Sequence, residues 1–299
     1  MASATIEVAP FLASNDALAD AAELQRRMRR DGYLFLRGLV PTDAVYDLRR
    51  QILTICRQYG WAAADGELMD GVAVGPARVE GRDEDFWPVY DAVQKLEAFH
   101  TLAHTPAIID VIGRLVDEPV LVHPRNIARI SFPQNLEHTT PAHQDYVHIQ
   151  GTEETYTAWI PLGDCPQSLG GLIVLSGSHR YGVLPTHRAS GAGGLGVATD
   201  HLGLSWVGND FQAGDCLIFH SLTVHRALPN VTADRLRLSV DYRYQGQSQP
   251  LTAGSLLPHF GRLSWDEIYQ GWSSTRYQRY WEGLDLKIVE WSPQYHQVG

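Results

Sequence analysis

Two short stretches of the chain carry side chains that could bind a metal ion together. The first holds His143 and Asp145, a nitrogen donor and an oxygen donor two positions apart. On a β-strand, residues i and i+2 point to the same face, and the neighbouring residues Thr139, Thr140 and Val147 favour a strand. The pair could therefore reach one ion. By itself it is weak support, because a surface strand with two outward polar residues gives the same pattern more often.

The second stretch, residues 214–230, contributes two histidines. It begins with a Gly-Asp turn, continues through an apolar strand towards His220 and His225, and ends at Pro229-Asn230. Two histidines and one carboxylate, with the remaining coordination positions open, form the facial triad of non-haem Fe(II) oxygenases. The spacing alone does not decide which of the two histidines would be the ligand.

Taken together, these residues resemble the phytanoyl-CoA dioxygenase family of Fe(II)- and 2-oxoglutarate-dependent oxygenases. The resemblance covers about residues 31–244 and rests on three segments: His143-Gln144-Asp145, the run from Gly214-Asp215 through Phe219-His220 to His225 with Asn230, and the arginine-rich strand that follows. It implies that His143, Asp145 and His225 hold Fe(II), and that His220 occupies a non-ligand position. It also implies 2-oxoglutarate and O2 as co-substrates.

The arginine-rich strand, residues 235–244, alternates strongly between polar and apolar side chains. Its polar face carries Arg235, Arg237, Ser239, Asp241 and Arg243. A guanidinium can bind a carboxylate through two parallel hydrogen bonds. In the family, an arginine shortly after the second metal-binding histidine holds the 5-carboxylate of 2-oxoglutarate. Arg235 and Arg237 both fit this role, and we favour Arg237 because Arg235 lies nearer to a turn.

The resemblance implies two further residues of the co-substrate pocket. Trp159 stands where the family has an aromatic residue that lines this pocket, although a tryptophan of the core is an equal alternative. Gln144, between the two ligands of the first motif, is assigned to the same pocket. No catalytic residue is predicted beyond the metal ligands. Asp145 argues against halogenation, since related halogenases leave that coordination position to a halide.

The pattern of elements predicts the fold class. Residues 118–245 contain many short strands without intervening helices, and about eight such strands suit a double-stranded β-helix, a jelly roll of cupin type. Helical periodicity predicts a mainly helical N-terminal part over 1–117 and a helical tail over 246–299. Within the N-terminal part, Asp31-Gly32 is expected to end a helix, and the apolar run Tyr33–Leu36 predicts a buried strand. We therefore expect one domain over 1–299, an all-β core with flanking helices (α+β).

Three other features have weaker functional interpretations. Gly191, Gly193 and Gly196 fit the dinucleotide-binding pattern, but that pattern needs a βαβ unit, which this β-rich region does not offer. A lid beside the pocket or a plain surface loop is favoured there. The irregular residues 60–90 are expected to border the active site. His100 and His104 share a helix face, where packed or surface histidines are more common than a metal pair.

Composition excludes some functions. The chain has 299 residues, 44% of them hydrophobic, which is ordinary for a soluble globular protein. Its 24 basic and 34 acidic residues give a net charge of −10, which argues against nucleic acid as a partner. Three widely spaced cysteines predict reduced thiols in the cytoplasm. We find no signal-peptide pattern and no apolar run of membrane-spanning length, so neither export nor a membrane partner is expected.

The sequence therefore predicts an Fe(II)- and 2-oxoglutarate-dependent dioxygenase. It is expected to hydroxylate an unactivated C–H bond of a small molecule, a secondary metabolite or an amino-acid-like compound, with release of succinate and CO2. Desaturation and ring closure use the same ligands and stay open. The alternatives are a cupin-like metal enzyme without 2-oxoglutarate and a catalytically silent binding module. An arginine that points into the pocket would favour the first prediction. The sequence leaves the oligomeric state open.

Overall fold

The structure, a computed structural model, describes residues 7–296. The helices are α1 Ala21–Asp31, α2 Thr42–Gln58, α3 Phe86–Gln94, α4 Glu97–Leu102, α5 Pro106–Val116, α6 Tyr146–Ile149 and α7 Trp265–Ile268. The strands are β1 Val8–Ala9, β2 Tyr33–Leu36, β3 Val120–Val122, β4 Ile127–Ser131, β5 Thr155–Pro161, β6 Leu172–Leu175, β7 Thr186–Arg188, β8 Leu195–Val197, β9 Trp206–Val207, β10 Cys216–His220, β11 His225–Ala227, β12 Arg237–Gly246, β13 Leu251–Thr252 and β14 Ile288–Val289. None of the helices in this part of the chain is both long and apolar enough to cross a membrane.

Two β-sheets form the centre of the fold. The larger sheet has the order β2-β10-β5-β12-β3, with β4 also paired to β12, and the smaller sheet has the order β1-β9-β6-β11. Neither sheet closes on itself within residues 7–296. The pairs β7–β8 and β13–β14 lie apart from both. This is a β-rich core with flanking helices, as the strand pattern predicted.

The large sheet buries both of its faces. Successive side chains of a strand point to opposite faces, so Leu34 and Leu36 of β2 pack against the N-terminal helices, while Tyr33 and Phe35 pack towards the small sheet. The residues on this second face, with Val174 of the small sheet, form one apolar cluster. The two sheets therefore face each other, and residues that alternate towards the gap can meet there.

The entry into the sheet agrees with the sequence prediction. Asp20 caps α1 by accepting a hydrogen bond from the Glu23 N–H at 3.0 Å. Gly32 ends α1 with φ +78°, and a Cβ at this position would lie 2.5 Å from His179 Nδ1. Glycine is therefore required both by its backbone angle and by the space available. Strand β2 follows directly, over the four residues that the apolar run indicated.

Two expectations for local structure are wrong. The segment around His143 is not a regular strand: His143 forms an isolated bridge to His225, and Asp145 precedes the helical turn α6. Pro141, which has no N–H to donate, interrupts pairing just before it. The C-terminal segment is also mostly non-helical where it is described. Residues 277–281 form turns, and Arg279 has φ +47°, which a helix does not accommodate.

Candidate metal centre and co-substrate pocket

His143, Asp145 and His225 converge in the gap between the sheets. All three are buried, and their ligand atoms lie within 4.8 Å of one another. The Nε2 atoms of His143 and His225 lie 3.8 and 3.9 Å from Asp145 Oδ1. The two histidines are backbone partners, since each N–H donates to the carbonyl of the other at 3.0 Å. Such a reciprocal pair places the two side chains opposite each other on one face.

The second ring nitrogen of each histidine is held by a backbone carbonyl. His143 Nδ1 lies 2.9 Å from the Pro141 carbonyl oxygen, and His225 Nδ1 lies 3.0 Å from that of Thr223. Because a carbonyl oxygen only accepts, Nδ1 carries the hydrogen and the Nε2 lone pair is directed at the cluster. Burial and the neighbouring imidazole lower the pKa of His143 to about 3, and burial also lowers the pKa of His225. Both rings are thus neutral, the form that binds metals.

Asp145 is held through both carboxylate oxygens. Oδ1 accepts from Arg243 Nη2 at 3.1 Å, and Oδ2 accepts from the Thr157 hydroxyl at 2.6 Å. Burial opposes ionisation of Asp145, but the Arg243 charge and the hydrogen bond from Thr157 outweigh it and hold the pKa of the carboxyl well below its usual range. The cluster therefore offers two neutral nitrogens and one anionic oxygen, a donor set that fits Fe(II).

The structure decides between the two histidines of the second stretch. Phe219 of β10 faces the gap, so His220 points to the other face of the sheet. There its Nε2 lies 3.5 Å from Glu154 Oε1, and its Nδ1 accepts from the Leu222 N–H at 3.1 Å. His225, not His220, joins the cluster.

The helical pair His100 and His104 is packed rather than metal-binding. His100 is buried, with Nε2 2.9 Å from the Gln94 carbonyl oxygen. His104 stacks on Tyr277 with ring centroids 3.9 Å apart. In residues 7–296 no metal-binding group other than the cluster described above has this geometry.

Arg237 points into the same chamber. It lines the cavity that contains His143, Asp145 and His225, and it is 6% exposed. Its Nη1 donates to Ser239 Oγ at 2.5 Å, but its buried Nε has no partner and it forms no ion pair within residues 7–296. Burial lowers the pKa of this guanidinium. A buried cation without a counter-ion is costly, so a ligand carboxylate would complete this position.

Arg235 does not reach the chamber, and its assignment to the co-substrate is corrected. Strand β12 begins at Arg237, so the strict alternation that placed both arginines on one face does not extend back to Arg235. Arg235 is instead bridged to Val72, and its guanidinium lies 3.3 Å from Asp70 and 3.4 Å from Asp234 at the surface.

Gln144 is also corrected. It lies between two residues that face the cluster and points the other way. Its Nε2 donates to the carbonyls of Gly182 and Leu222 at 2.9 and 2.7 Å, and its Oε1 accepts from the Leu184 N–H at 2.8 Å. These contacts hold the chain behind the cluster, so the residue is structural. Trp159, in contrast, lines the chamber and also packs on Phe211 at 4.7 Å between ring centroids.

Replacing Gln144 with leucine is expected to lower the free energy of unfolding by about 3 kcal/mol, because three backbone groups, two of them buried, lose their partner. The KM for 2-oxoglutarate should stay unchanged. Urea unfolding and steady-state kinetics check these two expectations, with Gln51→Leu as the control, since the Gln51 side chain makes an exposed hydrogen bond to Asp47. A raised KM for 2-oxoglutarate with an unchanged free energy of unfolding would show that Gln144 belongs to the co-substrate pocket.

A larger outer chamber opens from the inner one. It has a volume of about 620 Å³ and shares Arg129, Thr140, Ala227 and Arg237 with the inner chamber. Residues 78–82 form one wall and residues 190–194, in the β7–β8 hairpin, form another. Residues 78–82 belong to the segment that was expected to border the active site, and they lie there. For residues 190–194 the sequence left open a lid beside the pocket or a plain surface loop, and the loop lies beside the pocket. The volume is within the usual range for small-molecule sites.

Some residues of the chamber were not predicted. Arg129 Nε donates to Asp241 Oδ2 at 3.2 Å, and both line the inner chamber. Arg243 and Thr157 hold Asp145. The alternation of 235–244 already placed Asp241 and Arg243 on the polar face of Arg237. For Arg129 and Thr157 the sequence carried no signal, because each contact is made only when separate segments of the chain come together in the fold.

Comparisons with known proteins agree with this geometry. The family profile described as phytanoyl-CoA dioxygenase (PhyH) matches residues 28–238. The chain is 29% identical over 254 residues to the 1-deoxypentalenic acid 11-beta-hydroxylase of Streptomyces arenae, covering 81% of this chain and 87% of that protein.

Two solved structures from nogalamycin biosynthesis share the fold. The epimerase SnoN, in complex with Fe³⁺, alpha ketoglutarate and nogalamycin RO, has a TM-score of 0.56 at 22% identity and covers 77% of this chain and 85% of its own. The carbocyclase SnoK has a TM-score of 0.56 at 24% identity, covering 81% and 90%. The family match spans more than half of the chain and includes all three clustered ligands. The chain therefore belongs to the phytanoyl-CoA dioxygenase (PhyH) family of iron- and 2-oxoglutarate-dependent oxygenases.

Proposed function

We propose that the chain hydroxylates an unactivated C–H bond of a small organic molecule and converts 2-oxoglutarate to succinate and CO2. The observation that carries this proposal is the position of Arg237. Its guanidinium, which forms no ion pair within residues 7–296, lies in the same chamber as the His143, Asp145 and His225 cluster. A dicarboxylate could bind at the cluster with one end and give the Arg237 guanidinium a counter-ion with the other.

Each residue has a defined role in this proposal. His143, Asp145 and His225 would hold the iron, which together with the 2-oxo acid supplies the activation of O2. Arg237 would bind the distal carboxylate, and Trp159 would form the wall beside it. The apolar Leu172 and Phe219 also line the inner chamber. They would limit the access of water to the reacting groups.

The substrate is proposed to be a secondary metabolite that occupies the outer chamber. This is supported by the chamber volume of about 620 Å³ and by the relatives named 1-deoxypentalenic acid 11-beta-hydroxylase in two Streptomyces species. An amino-acid-like substrate is the alternative. Desaturation and ring closure would use the same residues, so the product must be identified directly.

A succinate-release screen tests the proposal. The protein with Fe(II), ascorbate and 2-oxoglutarate is incubated with a panel of candidate metabolites, and succinate and substrate mass are followed. We expect a substrate-dependent rise in succinate together with a mass increase of one oxygen atom in the metabolite. A mass decrease of two hydrogen atoms would instead show that the reaction is desaturation or cyclisation and not hydroxylation. No succinate under any condition would favour a cupin-like metal enzyme without 2-oxoglutarate.

Other predictions from the sequence are kept as proposals. We propose that the two facing sheets form a double-stranded β-helix within one domain over 1–299, since the β-strands of both sheets share an apolar cluster. A cytoplasmic location and the lack of nucleic-acid partners stay predictions from cysteine content and charge. The three cysteines, Cys56, Cys165 and Cys216, are free and buried.

A further inference from the structure

The position of Asp145 is not fixed by a strand. Its segment forms one isolated β-bridge, between His143 and His225. Single backbone hydrogen bonds hold it on either side, at Ala142 and at Tyr146. After Asp145 the chain turns into α6, which has four residues. The backbone therefore does not orient the carboxylate in the way that a continuous strand would. Side-chain contacts must provide that orientation.

Two residues of the large sheet make those contacts. Arg243 of β12 and Thr157 of β5 are directly paired across the two strands, so their side chains project side by side from one face. Arg243 donates to Asp145 Oδ1 at 3.1 Å, and Thr157 donates to Oδ2 at 2.6 Å. The Arg243 side chain is 6% exposed, and Asp145 is its only ion-pair partner within residues 7–296. We call Arg243 and Thr157 the carboxylate clamp.

We propose that the carboxylate clamp is a positioning device that limits Asp145 to one metal-binding oxygen, Oδ1. This rests on the proposed function, because it requires a metal ion at the cluster. Both histidine Nε2 atoms lie nearest to Oδ1, at 3.8 and 3.9 Å. Oδ2 is turned towards the Thr157 hydroxyl, from which it accepts at 2.6 Å, and so is directed away from the two histidine Nε2 atoms. An anionic oxygen has more than one acceptor position, so Oδ1 can accept from Arg243 and still bind the ion.

The clamp implies a small-anion site at the position of the Asp145 carboxylate. In an Asp145→Gly variant the carboxylate is removed, while the buried guanidinium and the hydroxyl remain. A buried cation without a partner favours binding of an anion. Formate has two oxygens and can meet both clamp residues, whereas chloride is a single atom and cannot. Added formate should therefore replace the missing ligand better than chloride does.

Mn²⁺ binding tests this without any need for turnover. The free ion is measured by its electron paramagnetic resonance signal in wild type, Asp145→Gly, and Asp145→Gly with Arg243→Met. We expect tight binding in wild type and weak binding in Asp145→Gly. In that variant formate should raise the Mn²⁺ affinity about tenfold at about ten times its own Kd, and chloride should raise it less. With Arg243→Met the effect of formate should be lost.

Two further double variants show which residues the effect of formate on Mn²⁺ affinity depends on. Asp145→Gly with Arg237→Met removes a buried arginine that lines the inner chamber and is not part of the clamp, and it should keep the formate effect. Asp145→Gly with Thr157→Val loses one hydroxyl at nearly constant volume, and should lose the preference for formate over chloride. If near-UV circular dichroism shows that the Arg243→Met protein does not fold, the Thr157→Val variant still tests whether the clamp binds formate.

The outcomes separate the two proposals. A wild-type protein that binds no Mn²⁺ would refute the proposed metal centre itself. With wild-type binding intact, a formate effect that is absent from Asp145→Gly, or unchanged by Arg243→Met, would overturn the clamp alone. An unchanged preference for formate in the Thr157→Val background would do the same.

Discussion

Replacing His225 with alanine is expected to lower the rate of 2-oxoglutarate consumption by about a thousand-fold, equivalent to about 4 kcal/mol of barrier. His225 supplies one of the three ligand atoms of the cluster, which lie within 4.8 Å of one another. Its imidazole is neutral and directed by the Thr223 carbonyl, so alanine removes a preformed donor rather than a flexible one. Succinate release without added substrate measures this directly, since it requires no knowledge of the natural substrate.

The matched control is His220→Ala. His220 comes from the same stretch of sequence, but its ring contacts Glu154 on the opposite face of the large sheet. Its replacement should leave succinate release and metal binding close to wild type. If His220→Ala abolished turnover and His225→Ala did not, the assignment of the ligands would be reversed.

Replacing Arg237 with methionine is expected to raise the KM for 2-oxoglutarate about 100-fold, which corresponds to about 2.8 kcal/mol. Methionine keeps most of the side-chain volume and removes the guanidinium. Arg237 is buried and forms no ion pair within residues 7–296, so its charge is available to a ligand carboxylate. Initial rates of succinate formation over a range of 2-oxoglutarate concentrations measure the change.

Two controls show whether Arg237→Met acts by removing the contact with the distal carboxylate of 2-oxoglutarate. Arg235→Met, at the surface beside Asp70, should leave the KM unchanged. 2-Oxobutyrate lacks the distal carboxylate, so CO2 release from it should be weak in wild type and no weaker in Arg237→Met. An equal loss with both 2-oxo acids would mean that Arg237 acts on something other than the distal carboxylate.

Local patterns predicted much of the fold. The apolar run Tyr33–Leu36 forms β2, and Asp31-Gly32 ends α1, because both depend on neighbouring residues alone. The alternation in 235–244 correctly separated a polar face from an apolar one. In the folded protein that polar face is buried and carries Arg237, Ser239, Asp241 and Arg243 into the gap between the sheets.

Other features depend on contacts between distant residues and were not accessible from the sequence. Arg235 and Arg237 look equivalent until the start of β12 is known, and this start is set by pairing of Arg237 with Ser131 of β4. His143 and Asp145 were expected to share a strand face. They converge instead through a backbone bridge to His225 and through contacts of Asp145 with Arg243, 98 positions along the chain. The cluster was correctly predicted although its local structure was not.

Anaerobic titration of the purified protein with Fe(II), followed by calorimetry, tests the central claim most directly. We predict one iron per wild-type chain and none at that affinity in the His143→Ala, Asp145→Ala and His225→Ala variants. Wild-type affinity retained in all three variants, or no binding by the wild-type chain, would contradict the assignment of these three side chains as the iron site.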